Sequence, residues 1–193
     1  MTTTDRVAAI LLTGGASRRM GHDKPQLVIE GTTLARRTGA LLRLVTEAAV
    51  EVGPGHSGLV ATLEEPAGNG PLAAIAAGRR RLREMGSVGA ALVVACDLPF
   101  LSEKLLRFLA DCDAPGTVLP VVEGHVQPLC ARWSPRDLDA ASELVARGVR
   151  SLQHLNVLSD VTLLKESDWE NVASAETFRD VDSPEDLARY GLS

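Results

Sequence analysis

Aromatic residues are scarce in this 193-residue chain: three Phe, two Trp and one Tyr make up 3% of it. That disfavours a surface that binds single-stranded nucleic acid by stacking bases on rings. Positive charge is not in excess either. Twenty Lys and Arg are set against 25 Asp and Glu, a formal net charge of −5. A general nucleic-acid or membrane-surface binder would be basic; a local basic patch for a small anion remains compatible with this balance. Cysteine is rare and odd in number: Cys96, Cys112 and Cys130, with no C-x-x-C pair. Reduced thiols are expected, as in a cytoplasmic protein. No apolar run approaches the roughly 20 residues of a membrane span. The first apolar stretch, Val7 to Leu12, is too short for a signal core. The protein is expected to be cytoplasmic, with neither nucleic acid nor membrane as partner.

Apolar residues make up 45% of the chain and charged ones 23%, close to globular averages. A chain of this length buries roughly 70% of the surface exposed on unfolding, so it needs no disulfide or metal to fold. Residues 1–193 read as one domain.

Strand and helix signals alternate. Val7 to Leu12 and Ala90 to Cys96 are uninterrupted apolar runs, as in strands buried on both faces. Short strands are predicted at Ala48–Val52 and Leu59–Leu63. Helices are predicted at Thr33–Val45, from Pro71 to about Met85, after the Ser102 cap, and from Ser134-Pro135 to Arg147. Ile75, Leu82 and Met85 form the apolar stripe of the second. Arg79, Arg80, Arg81 and Arg83 suit the dipole at its C-terminal end. Leu105, Leu106, Leu109 and Cys112 face inward from the third. Thr117–Val122 and Val126–Ala131, joined at Glu123-Gly124, read as a hairpin. Residues 151–176 give no clear signal. Phe178–Val181 reads as a late strand, and Ser183-Pro184-Glu185-Asp186 as a helix start. The fold class is α/β, a mostly parallel sheet with helices on both faces and an antiparallel hairpin component. Ligands in such sheets sit at the carboxyl ends of the strands. That places the loops 13–24, 53–58, 64–70 and 97–101 on one rim.

The loop after the first strand is Leu12-Thr13-Gly14-Gly15-Ala16-Ser17-Arg18-Arg19-Met20-Gly21-His22-Asp23-Lys24. Its glycines let backbone N–H groups approach a ligand, and successive N–H groups make an anion nest. Arg18, Arg19 and Lys24 add three cations. The pattern is a polyphosphate cradle, but neither the G-x-G-x-x-G of dinucleotide binders nor a Walker loop. Asp97, directly after the second apolar run, is placed to hold Mg²⁺ on phosphate oxygens. Asp180 and Asp182, two residues apart, share a face and extend that carboxylate set.

This first loop resembles the L-x-G-G-x-S-x-R-M-G-x-D-K signature of the molybdenum cofactor guanylyltransferases, which act in molybdopterin-guanine dinucleotide synthesis. Gly70-Pro71-Leu72, Cys96-Asp97-Leu98-Pro99-Phe100, Gln127-Pro128 and the run Asp180 to Leu187 follow in that family's order. The resemblance spans nearly the whole chain. It implies a Rossmann-like nucleotidyltransferase fold that moves GMP from MgGTP onto molybdenum-bound molybdopterin. By resemblance Leu12, Thr13, Gly14 and Gly15 contact the nucleotide, Lys24 pairs with its phosphates, and Asp97 binds Mg²⁺. Glu65 stands where the family has an acid that contacts the nucleotide. Glu51 replaces an Asn that touches GTP in some members, and is left outside the candidate site. The Asp180/Asp182 pair replaces two Asn of some members and matches Asp in related cytidylyltransferases, whereas Gly14-Gly15 favours the guanylyl branch.

The expected reaction is attack by the terminal phosphate of the pterin cofactor on the α-phosphorus of GTP. Lys24 and Arg18 neutralise charge, Asp97, Asp180 and Asp182 hold Mg²⁺, and pyrophosphate leaves. The expected partners are GTP, the molybdopterin cofactor and other cofactor-biosynthesis proteins. Alternatives are a cytidylyl- or sugar-phosphate nucleotidyltransferase of the same fold, or a nucleotide-binding regulatory module without turnover.

Overall fold

The computed structural model describes residues 7–14, 24–65, 68–149, 152, 158 and 160–192. The chain opens with β1 (Ala8–Leu12), a short ribbon of β2 (Val28–Ile29) and β3 (Thr32–Thr33), and α1 (Leu34–Val45). There follow β4 (Ala49–Val52), β5 (Val60–Thr62), α2 (Pro71–Glu84), β6 (Ala91–Ala95) and α3 (Glu103–Ala110). The second half holds β7 (Thr117–Val122), β8 (His125–Val126), β9 (Cys130–Trp133) and α4 (Pro135–Ala146). It ends with β10 (Val161–Leu164), α5 (Glu166–Trp169) and α6 (Pro184–Arg189).

The main sheet runs in the order β10-β7-β9-β6-β1-β4-β5, with β8 paired to β7. β6, β1, β4 and β5 are mutually parallel, as are β10 and β7. β9 lies antiparallel between β6 and β7.

β1 is apolar at every position because both its faces are covered. Ala8, Ile10 and Leu12 join Leu72, Ile75 and Leu82 of α2 and Leu138, Ala141 and Leu144 of α4. Ala9 and Leu11 join Leu42 of α1 and Leu105, Leu106 and Leu109 of α3. Successive strand residues point to opposite faces, so this alternation identifies two helical layers with the sheet between them. The approach of α2 to β1 depends on Gly78, where a Cβ would lie 2.5 Å from Ile10 Cγ2.

Several local predictions are met by specific contacts. Thr33, Ser102, Ser134 and Ser183 each accept the backbone N–H of the residue three positions on, in the first turn of the helix they cap. Gly148 follows α4 with φ +82°, the left-handed conformation that ends helices.

Other positions differ. Met85 lies beyond α2 and is 40% exposed. Arg79 does more than face the helix dipole, for it is buried: Nε donates to Asp139 at 2.7 Å, and the two terminal nitrogens donate to the carbonyls of Gly89 and Val88. It therefore ties α2 to α4 and to the turn before β6. Cys112 is half-buried and lies past the end of α3. The expected hairpin arm Val126–Ala131 is split. β8 stops at Val126, and the chain turns through Gln127-Pro128-Leu129 before β9 inserts beside β6. Pro128 has no N–H for a ladder, which accounts for the break. Phe178–Val181 is not a strand; a 3₁₀ turn covers Ala175–Phe178 and extended chain follows. The unassigned 151–176 stretch contains β10 and α5, whose Trp169 packs edge-on to Phe178 at 5.1 Å. Among the described residues no helix is long and apolar enough to cross a membrane.

Candidate active site

The parallel strands β1 and β6 run side by side and end at the same rim. Beyond the last β1–β6 pair, the Cys96 N–H donates to the Leu12 carbonyl at 3.1 Å, so Asp97 emerges next to Thr13. The Val181 N–H donates to the Asp97 carbonyl at 2.9 Å. Val181 itself is fully buried against Ile29, Leu34 and Leu187. With Val181 anchored inward, its neighbours Asp180 and Asp182 turn outward together beside Asp97. One ligand oxygen from each of Asp97, Asp180 and Asp182 lies within 4.8 Å of the others. The α6 cap holds the end of this segment, since Asp186 Oδ2 accepts the N–H groups of Asp182 and Ser183 at 3.0 and 3.1 Å.

Lys24 enters the cluster from a 3₁₀ turn, Lys24–Gln26, whose Pro25 is buried. Its Nζ donates to Asp182 Oδ1 and lies 3.6 Å from Asp97 Oδ2. Burial works against the ammonium ion, but the Asp182 hydrogen bond and the charges of Asp97, Asp182 and Asp180 outweigh it. The Lys24 pKa is therefore held above its ordinary value. For Asp97 burial dominates and pushes the carboxyl up; Lys24 offsets part of this, and Asp180 adds to it.

These groups border a cavity of about 540 Å³ lined by Leu12, Thr13 and Gly14 from β1 and its loop, by Lys24, Asp97 and Asp182, and by Glu64 and Leu129. Gly70, Pro71 and Ala74 place the N-terminus of the 14-residue α2 at the same cavity. Gly70 caps that helix at φ +88°, a conformation that favours glycine. A helix N-terminus with an ammonium group beside it suits a phosphate chain. Three carboxylates, offering oxygen donors alone, suit a hard divalent cation.

The cavity brings together Leu12, Thr13, Gly14, Lys24, Asp97 and Asp182, with Asp180 in the same carboxylate cluster. Glu65 is exposed and absent from the lining; Glu64 faces the cavity instead. The Gly68 N–H holds Glu64 Oε1 at 2.7 Å, while Oε2 is buried and has no partner among the described residues. Gly15 and Arg18 lie outside the described residues. Burial pushes the Cys130 thiol up to about 12 and raises that of Cys96 still further, so neither of these two offers a thiolate.

Glu51 has a structural task that its place in the sequence does not announce. It is fully buried on β4. Oε1 accepts from Thr13 Oγ1 at 2.6 Å and from the N–H groups of Gly55 and His56 at 2.8 and 2.9 Å. Oε2 accepts from the Ser57 N–H at 2.7 Å and its hydroxyl at 2.5 Å. Burial alone would raise its pKa, but the bonds from Ser57, Thr13 and His56 win and lower it. One carboxylate thus fastens the β1 tip to the 53–57 loop. An acid within the apolar run Ala49-Val50-Glu51-Val52, followed by Gly53-Pro54-Gly55, is the signal that could have found it.

The molybdenum cofactor guanylyltransferase of Rhodobacter capsulatus is 32% identical, over 95% of this chain and 94% of the relative. Molybdopterin-guanine dinucleotide biosynthesis protein A from Archaeoglobus fulgidus superposes with a TM-score of 0.72 at 22% identity, covering 95% of this chain and 96% of that one. The 2-C-methyl-D-erythritol 4-phosphate cytidylyltransferase of Thermus thermophilus shares the fold at a TM-score of 0.60 and 21% identity, over 95% and 96% of the two chains. The match to the MobA-like NTP transferase domain covers residues 9–161, from the strand that carries Thr13 to the one that closes the far sheet edge. With its cationic and acidic side chains gathered where the parallel strands end, the chain belongs to the MobA-like NTP transferase family, among the molybdenum cofactor guanylyltransferases.

Proposed function

We propose that this protein transfers GMP from MgGTP to molybdenum-bound molybdopterin and releases pyrophosphate, with residues 1–193 acting as one cytoplasmic unit. The observation that carries this reading is the meeting of Lys24 with Asp97, Asp180 and Asp182 at a cavity that the α2 N-terminus also enters. A regulatory module that only held a nucleotide would have no need of three converging carboxylates.

In the reaction a phosphate oxygen of the pterin cofactor forms a bond to the α-phosphorus of GTP. The bond from that phosphorus to the bridging oxygen breaks, and the electron pair leaves with pyrophosphate. The attacking oxygen is already anionic, so no general base is needed. Lys24, with Arg18 from the same loop, offsets phosphate charge, and the α2 N-terminus orients the chain of phosphates. Asp97, with Asp180 and Asp182, would hold Mg²⁺; when bound, the ion withdraws charge from the phosphates and lowers repulsion between the two anionic substrates. Leu12, Thr13, Gly14 and Gly15 border the nucleoside.

The nucleotide contact first expected of Glu65 passes in this reading to its neighbour Glu64, which lines the cavity, and there it would meet the base. A carboxylate suits guanine because the N1–H and the 2-amino group are adjacent donors, whereas adenine, cytosine and uracil each present an acceptor beside their donor.

Thermal melts with GTP, ATP, CTP and UTP, with and without Mg²⁺, test base and metal choice together. MgGTP should stabilise the protein most, by roughly 2.7 kcal/mol at about 100 times its dissociation constant. Greater stabilisation by MgCTP would move the protein to the cytidylyl branch.

A further inference from the structure

Three carboxylates within 4.8 Å of one another repel strongly unless a cation lies among them. In this structure the cation is a side chain. Lys24 donates to Asp182 and stands 3.6 Å from Asp97, and its own side chain is only 18% exposed. It is held there from outside the cluster: its carbonyl accepts the Leu27 N–H at 3.0 Å, and the adjoining Pro25 is buried. The same Nζ lies in the cavity that α2 enters, so a phosphate chain at that helix offers it a second partner.

We propose that Lys24 is a resident counter-cation, which keeps the carboxylates together in the nucleotide-free protein and makes metal and nucleotide bind jointly. While Lys24 is paired with Asp182, an arriving divalent ion meets an occupied ligand and a positive charge. A phosphate chain draws Lys24 away, and the carboxylates it leaves are then short of a cation. Each ligand thus prepares the place of the other, and the coupling between them is reciprocal. The inference rests on the proposed nucleotidyl-transfer reading for the identity of the ligands, but it concerns a separate property, the dependence of metal affinity on Lys24.

The test uses Mn²⁺ as a paramagnetic probe and counts free ion by electron paramagnetic resonance, with no turnover required. The nucleotide-free wild type should bind Mn²⁺ weakly. Lys24→Met should bind it about tenfold more tightly or better, because a positive charge next to the ligands is gone. Lys24→Arg, which keeps the charge, should stay close to wild type. GTP should raise Mn²⁺ affinity in the wild type by a factor that falls about tenfold in Lys24→Met, since that variant has no cation to release. Lys24→Gln, which retains a donor without charge, should behave like the methionine variant and serves if the latter does not fold. Mn²⁺ affinity in nucleotide-free Lys24→Met or Lys24→Gln no higher than in wild type would overturn the proposal. So would GTP coupling of wild-type size in those variants. Failure of the guanylyl reading would show itself elsewhere, as no preference for GTP among the four nucleotides, with the Lys24 dependence of nucleotide-free Mn²⁺ binding unchanged.

Discussion

Asp97→Asn is expected to leave the protein folded and to lower GMP transfer by about 100-fold or more, the scale seen when one preorganised electrostatic group is removed. The fold should survive because Asp97 supports the structure through its backbone, whose carbonyl accepts the Val181 N–H. The side chain is a strained tenant. Burial already pushes its carboxyl toward the neutral form, and Asp180 adds to that push. A neutral amide there relieves repulsion, so the metal-free variant should melt no lower than the wild type. Activity should suffer because Asp97 is the half-buried member of the cluster, where negative charge is least screened by water; Asp180 and Asp182 are the more exposed pair. Asp180→Asn and Asp182→Asn should therefore be milder, since an amide oxygen can still act as a ligand. Steady-state rates across a Mg²⁺ titration decide the matter. Asp97→Asn transferring GMP at the wild-type rate, with the same Mg²⁺ requirement, would remove Asp97 from the site.

Glu51→Ala should produce the largest loss of stability, about 3–5 kcal/mol, because it removes the acceptor for five hydrogen bonds and leaves buried donors unpaired. For a chain of this size that lowers the melting temperature by roughly 10 °C. The effect should depend on pH in a defined direction. Glu51 has a lower pKa in the folded protein than in the unfolded chain. Its ionic contribution is therefore complete above the ordinary glutamate value, about 4.3, and is lost as pH falls through the depressed native value. Denaturant melts should show a wild-type advantage over Glu51→Ala that is constant at neutral pH and narrows in acid below about pH 4. An advantage that stays constant into strong acid would mean that the carboxylate is not held ionised by its loop.

The parts of the fold that local chemistry decides were legible. The apolar runs of β1 and β6 and the Ser-led starts of α3, α4 and α6 are properties of a few adjacent residues. The parts decided by distant chain were not. Val126–Ala131 looks like one strand, but Cys130 to Trp133 pair with β6, some 40 residues earlier in sequence, as well as with β7; Pro128 was the local warning. Phe178 and Val181 are buried as a strand residue would be, yet among the described residues the segment makes a single backbone bond to the sheet rim, at Asp97. The alternation of Asp180 and Asp182 around a buried Val181 turns both carboxylates to the side of Asp97 without a ladder. Arg79 reads only as a cation suited to the helix dipole, because sequence shows the helix end and not the two carbonyls and the Asp139 carboxylate that receive it. The choice between Glu64 and Glu65 turns on which residue of a loop faces inward, and the Gly68 N–H that orients Glu64 comes from four positions further along the chain.

GMP transfer is a chemical transformation, so product formation is its most direct test. Purified protein, Mg²⁺, GTP and molybdenum-bound molybdopterin are combined, and pyrophosphate and the pterin product are quantified together. The expected result is one pyrophosphate released per guanine dinucleotide cofactor formed, with CTP a poor substitute and no release when the pterin is omitted. No pyrophosphate from GTP in the presence of the pterin, or dinucleotide formation from CTP in preference to GTP, would contradict the account.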